Sequence, residues 1–299
     1  MEKSIFIVGS GIVGQAAGKV LTAKGFKVTF TDINPVVVSQ LRREGYQAFE
    51  VKELQKPDAD IFMLSAPTYP LEHTENGLDY IKAASTTLAS WLSNTKDYCL
   101  VAVRSSVLPG TTEDVIIPIL EECSGKKAGV GFGVCVQPEY LRERRPEADV
   151  NDPWIIVIGE LDKKSGDFLQ EVYHWVSCPI YRVSLREAEI HKFIHNLCNA
   201  NKISFFNEMR LVCQRIGIDC ERIFSLVAQS AEACWNPSYG TRDLGPFGGS
   251  CLPKDVFAFL SWAKEQGLET PVMDAVLKVN QAFGKQLAPT LSKVALNYP

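Results

Sequence analysis

The sequence predicts two domains of different class: a doubly wound α/β domain over residues 1–184 and an all-helical domain with a long central helix over 185–299. Three observations carry this reading. Up to about residue 183, apolar runs of four to eight residues alternate with helix-length amphipathic segments, the pattern of a parallel sheet covered on both faces. The first run leads straight into a glycine-rich turn. After "YRVSLREAE" no strand-like run follows, and helical periodicity takes over.

Taken in order, "SIFIVG" is the first strand and "VGSGIVG" supplies G-x-G-x-x-G at Gly9, Gly11 and Gly14, with Ile12 and Val13 between the last two. Such glycines permit a tight turn and let the backbone approach a pyrophosphate, whose charge then sits at the N-terminus of the following helix. The second strand, "KVTFTD", ends at Asp32, 18 residues beyond Gly14. A carboxylate there bonds an adenosine ribose hydroxyl and repels a 2′-phosphate, so the cofactor expected of this Rossmann-like domain is NAD. "DIFMLSAP", "YCLVAVRSS", "GVGFGVCV", "WIIVIG" and "IYRV" are the remaining strands. Residues 187–216 read as one helix closed by Gly217, followed by a helix over 219–230 and a glycine- and proline-containing loop over 235–252. A helix starts at Pro253 and runs to about 266, and a last one starts at Pro271, with Pro289 interrupting or ending it.

Composition narrows the function. A net charge of -4 gives no basic footprint, which argues against nucleic acid or an anionic membrane as partner. No run of about 18 apolar residues is present, and the opening "MEKSIFIVGSG" reaches a strand too soon for a signal peptide, so a cytoplasmic location is expected. Nine cysteines include no C-x-x-C pair, and eight of them are expected to be inert core thiols. His191 and His195 have the i, i+4 spacing of a helical zinc site, but "HKFIH" lacks the glutamate of H-E-x-x-H and a third ligand, so no metal is expected.

The ninth cysteine stands apart. In "GPFGGSCLPKD", Cys251 lies just ahead of a helix that Pro253 opens, where the helix dipole and the nearby Lys254 favour a thiolate. Gly248 and Gly249 leave the sulfur bare for a substrate carbon, although a cysteine packed in a glycine turn has the same local sequence.

Five stretches, "VGSGIVG", "VRSSVLPGTT", "QPEYLRE", "AEIHKFIHN" with "NKISFFNE", and "FGGSCLPKD", give the chain a resemblance to the UDP-glucose/GDP-mannose dehydrogenase family of nucleotide-sugar dehydrogenases. The resemblance implies oxidation of a sugar's primary alcohol to a carboxylate in two NAD-dependent steps through an enzyme thioester, with a nucleotide sugar as substrate. It implies that Cys251 is the nucleophile, Glu139 an acid/base, and Lys192 and Asn196 sugar-site groups on one helical face. Asp255 would activate the hydrolytic water, and Ser106, where the family often has threonine, would bind water or relay a proton. Pro67, Thr68, Ser106 and Glu143 would join the glycine turn and Asp32 in holding the cofactor. Leu141, Glu143, Phe247, Gly248 and Lys254 would join Glu139, Lys192 and Asn196 around the substrate.

The family's long helix, here from Pro271 with Val272, Ala275, Val276 and Val279, implies a homodimer, although the same apolar set suits packing within one chain. The sequence departs from the family pattern at Pro246 and Trp154 and in "SYGTRDLGPF", where Tyr239 and Arg242 are placed to touch a ligand, and it ends at "VALNYP", before any counterpart of the family's third, nucleotide-gripping domain. Two other readings fit the same residues: a two-electron NAD-dependent dehydrogenase of a small hydroxylated substrate, and a catalytically silent NAD-binding protein.

Overall fold

A computed structural model describes residues 3–54, 57–68, 78–95, 97–142, 144–237, 239, 246–248 and 252–294, the last stretch with side chains to residue 282. The chain divides into two compact units, Met1–His195 and Asn196–Pro299.

The first unit is built on eight strands: β1 (Ser4–Val8), β2 (Lys27–Asp32), β3 (Ala48–Glu50), β4 (Ile61–Leu64), β5 (Cys99–Val103), β6 (Phe132–Val136), β7 (Ile156–Glu160) and β8 (Ile180–Ser184). They form one sheet in the order β3-β2-β1-β4-β5-β6-β7-β8. Among the described residues six α-helices accompany them: α1 (Ile12–Ala23), α2 (Pro35–Arg43), α3 (Asp79–Leu92), α4 (Ile117–Ser124), α5 (Pro146–Asn151) and α6 (Lys163–Gln170). Alternate residues of each strand face opposite sides. Phe6, Phe62, Leu64 and Phe132 pack with Leu88 and Trp91 of α3 and Leu120 of α4 on one side. On the other, Ile7, Phe30, Met63 and Leu100 pack with Leu21 of α1, Leu41 of α2 and Leu169 of α6. The doubly wound class is therefore as the alternating apolar runs predict.

Two features of the sheet differ from the sequence reading. β3, with a register of only Phe30↔Ala48 to Asp32↔Glu50, is too short to stand out as an apolar run. β7 pairs antiparallel to β6, Val136 facing Gly159, while every other strand pair is parallel. The segment after β6 makes no crossover; with only the short α5 inside it, it re-enters the sheet from the end at which β6 left.

Helix α7 (Leu185–Arg215) starts in the first unit and continues into the second, which adds α8 (Cys220–Ser230), α9 (Glu232–Trp235), α10 (Leu252–Glu265) and α11 (Pro271–Val294). Gly217 closes α7 at φ +72°, a left-handed position that glycine adopts without strain. Asp219 caps α8 through Glu221 N at 3.1 Å. The buried Glu208 accepts from Val272 N at 2.6 Å and Met273 N at 3.2 Å, satisfying donors that the first turn of α11 leaves without helical partners. α11 does not end at Pro289 but continues to Val294. Among the described residues no helix is long and apolar enough to cross a membrane.

Of the eight cysteines expected in the core, only Cys99 and Cys135 are buried; Cys123 and Cys198 are exposed and Cys178, Cys213, Cys220 and Cys234 are partly so, all eight as free thiols. Apolar periodicity marks the two strand cysteines, Cys99 and Cys135, correctly but overstates burial at Cys178, in the bend before β8, and on helices that carry hydrophobic residues on more than one face.

Candidate active site

The sheet order reverses between β1 and β4, and at that point a cleft of about 720 Å³ opens at the carboxyl ends of the strands. Gly9, Gly11, Ile12, Val13, Asp32, Pro67, Thr68 and Ser106 all line it, as does Glu139. The three turn glycines have different reasons to be glycine. Gly9 sits at φ +92°, and a Cβ there would lie 2.9 Å from the Ser65 carbonyl oxygen. A Cβ on Gly14 would lie 2.1 Å from the Gly9 carbonyl oxygen, so this glycine lets α1 close against the turn. A Cβ on Gly11 would meet no protein atom within 4 Å, and no side chain caps α1 there. The open space at Gly11, at a helix N-terminus without a capping side chain, fits a dinucleotide phosphate.

Asp32 is held by the turn it serves, its carboxylate accepting from Ser10 N at 2.7 Å and Asn34 N at 2.8 Å. On the other flank the loops after β4 and β5 are tied together. Thr68 Oγ1 donates to the Ser106 carbonyl at 2.7 Å and Ser105 Oγ to the Ala66 carbonyl at 2.6 Å.

The segment after β6 brings Glu139 to the cleft. Its carboxylate accepts from Leu141 N at 2.9 Å and from Lys192 Nζ at 3.1 Å, and Lys192 also donates to the Glu139 carbonyl. Lys192 is 8% exposed and Glu139 15%, so the pair is largely screened from water. One turn earlier on α7, the buried Glu189 accepts from Gly110 N at 2.6 Å and Thr112 N at 2.8 Å, and burial pushes its carboxyl pKa up. Residues 189 and 192 share one face of α7, so a single helix fixes the loop after β5 and the segment after β6. Ser106 and Lys192 line the same small cavity. Beside them the Tyr140 hydroxyl bonds His191 Nδ1 at 2.9 Å, and burial raises the Tyr140 pKa. Burial, and then the Lys192 charge, lower the pKa of both His191 and His195. A buried lysine and carboxylate at the edge of a nucleotide cleft can hold an alkoxide and accept its proton.

In the second unit, Asn196 is exposed on α7, one turn beyond Lys192. Phe247 is clamped through its backbone: its N–H donates to Asn280 Oδ1 at 2.6 Å, and Asn280 Nδ2 returns a bond to its carbonyl at 3.0 Å. Gly248 is exposed, and a Cβ on it would meet nothing within 4 Å. Lys254 and Asp255, on the first turn of α10, pair with each other and are about two-thirds exposed. Cys251 and Glu143, together with Gly249 and Arg242, lie outside the described residues.

Several residues around the cleft go unmarked in the sequence reading. Gly18 continues the glycine series, since a Cβ there would lie 2.3 Å from Phe30 Cε1. Arg104 is only 4% exposed, and its signal is a charge placed directly after the fully buried run "CLVAV". Glu189 is marked only by being an acid three residues before Lys192.

Residues 48–177 match the NAD binding domain of the UDP-glucose/GDP-mannose dehydrogenase family, and residues 186–282 match its central domain. A GDP-mannose 6-dehydrogenase of Pseudomonas putida is 35% identical, over 93% of this chain and 68% of the relative. A UDP-glucose 6-dehydrogenase of Haloferax volcanii is 29% identical, over 97% of this chain and 72% of the relative. The solved ternary complex of GDP-mannose dehydrogenase from Pseudomonas aeruginosa superposes with a TM-score of 0.88 at 31% identity, covering 98% of this chain and 71% of that one. The UDP-glucose dehydrogenase of Pyrobaculum islandicum superposes with a TM-score of 0.70 at 31% identity, covering 94% of this chain and 68% of that one.

Proposed function

The chain belongs to the UDP-glucose/GDP-mannose dehydrogenase family, and from that premise we propose that it is an NAD-dependent 6-dehydrogenase of a nucleotide sugar, oxidising the primary alcohol to a carboxylate through a thioester on Cys251. The observation that carries this reading is the buried Lys192–Glu139 pair on the rim of the nucleotide cleft. Bound NAD supplies the hydride acceptor.

The chain's own residues account for the rest of the chemistry. An alcohol must lose a proton before a hydride can leave its carbon, and Glu139, with Lys192 holding the developing alkoxide, supplies that base and cation. The Cys251 thiol then adds to the aldehyde carbonyl, forming a C–S bond and a thiohemiacetal hydroxyl. Loss of a second hydride and that hydroxyl's proton gives the thioester. Asp255 activates the water that cleaves the C–S bond, releasing the carboxylate and restoring the thiol. Asn196 bonds a sugar hydroxyl or the water, Ser106 relays a proton, and Glu143 helps to hold cofactor and substrate.

The relatives act on GDP-mannose and UDP-glucose, so those two compounds are the first to test. Two NADH per carboxylate are expected, with a mass adduct on Cys251, and Cys251→Ala is expected to form no carboxylate. One NADH per turnover with an aldehyde as final product, or undiminished carboxylate from Cys251→Ala, refutes the thioester course.

A further inference from the structure

One cation in the cofactor cleft has no carboxylate partner among the described residues. Arg104 directly follows β5 and is 4% exposed. Its guanidinium donates to Gln137 Oε1 and, at 3.2 Å, to the Tyr173 hydroxyl, both neutral groups, and its Nε has no partner. The two carboxylates that line a small cavity together with Arg104 are taken, Glu139 by Lys192 and Asp149 by Arg142. Buried charges are as a rule paired, because desolvation opposes them otherwise. Gln137 and Tyr173 hold the guanidinium in place without cancelling its field.

Arg104 lines the same cleft as Gly11 and Asp32. The inference rests on the cofactor placement used above: with adenosine at Asp32 and pyrophosphate at Gly11, only the β4, β5 and β6 side of the cleft is left for the nicotinamide, and Arg104 stands there. In R–CH2OH + NAD+ → R–CHO + NADH + H+, the hydride carries two electrons to the ring and cancels its positive charge, while the hydroxyl proton leaves to a base. The bound dinucleotide thereby passes from one net negative charge to two. We propose that Arg104 is the residue that sets the oxidation-state preference of the cofactor site, its fixed charge favouring the dihydronicotinamide form over the nicotinamidium form. The same field pulls the hydride from substrate to cofactor in both oxidations.

The test is equilibrium binding of NAD+ and of NADH to the full chain, by calorimetry or nucleotide fluorescence, and needs no turnover. Wild type is expected to bind NADH more tightly than NAD+. Arg104→Gln is expected to lower the ratio of the two dissociation constants by about tenfold, the effect of one charge at roughly 10 Å in a protein-like dielectric. Arg104→Lys and Tyr173→Phe retain the cation and are expected to keep the ratio within about threefold of wild type. Parallel changes in both affinities for Arg104→Gln, with the ratio unchanged, reduce Arg104 to a structural role and overturn the proposal. Equal binding of the two forms by wild type overturns it even if Arg104→Gln fails to fold. Asp32→Ala tests the placement separately, because it is expected to weaken both forms alike. Unaltered affinities there overturn the placement and the proposal together, whereas weakened affinities beside an unchanged Arg104→Gln ratio overturn the proposal alone.

Discussion

Lys192 is legible in the sequence only through "AEIHKFIHN", and that motif contains neither its partner nor its burial. The partner, Glu139, lies 53 residues earlier, and burial makes each group depend on the other. Lys192→Met is expected to reduce turnover by at least about a hundredfold, the usual effect of losing a positioned acid/base group. It is also expected to destabilise the fold by about 3 kcal/mol, because it leaves the Glu139 carboxylate buried and unpaired. The double variant Lys192→Met with Glu139→Gln is expected to recover much of that stability in denaturant unfolding but none of the turnover. His191 and His195 give a pH signature. Their folded-state pKa values lie below the ordinary imidazole value of 6.5, so the unfolded chain takes up protons first as pH falls. Their contribution to stability is thus full above pH 6.5 and is lost as pH drops through the folded values. His191→Asn is expected to flatten that part of a plot of Tm against pH. Arg104 was hidden for the reason that hid Glu139 from Lys192: its two partners lie 33 and 69 residues away.

Among the elements, the turn from β1 into α1 shows how one motif serves both fold and ligand. Gly14→Ala places a methyl against the Gly9 carbonyl and is expected to cost about 1–3 kcal/mol of stability, measured by chemical unfolding. Gly11→Ala meets no protein atom, so stability is expected to hold within about 0.5 kcal/mol while NAD affinity falls at least about tenfold. Stability loss at Gly11 without any loss of NAD binding is the result that contradicts this division of labour. The motif's spacing is visible in the sequence, but which glycine answers to the protein and which to a ligand is not. For Gly9 that distinction rests on Ser65, 56 residues later in the chain, and for Gly14 on the position the turn gives the Gly9 carbonyl. The direction of β7 is equally hidden, because "WIIVIG" reads the same for either orientation. The path from Gln137 to Ile155 decides it by staying at one end of the sheet.

At the scale of the molecule, α11 carries the apolar set that the family resemblance connects with assembly. Ala275 and Val279 are exposed, Val279 to 67%, while Val272 and Val276 are partly covered. We expect a homodimer by light scattering, and Val279→Glu is expected to shift it to monomer; a monomeric wild type contradicts the assignment. The sequence by itself determined the class of the two halves, the strand positions over most of the first unit, the glycine turn with Asp32, and the family. All of these are written in local periods and spacings of a few to some twenty residues, which strand pleat, helical pitch and turn geometry impose directly. The tertiary structure alone decided which charges meet. It paired Lys192 with Glu139, set Glu189 against the amides of Gly110 and Thr112, and left Arg104 among neutral partners. Such pairs join segments up to 79 residues apart, and their energies depend on burial, which arises only when the sheet and α7 close around them.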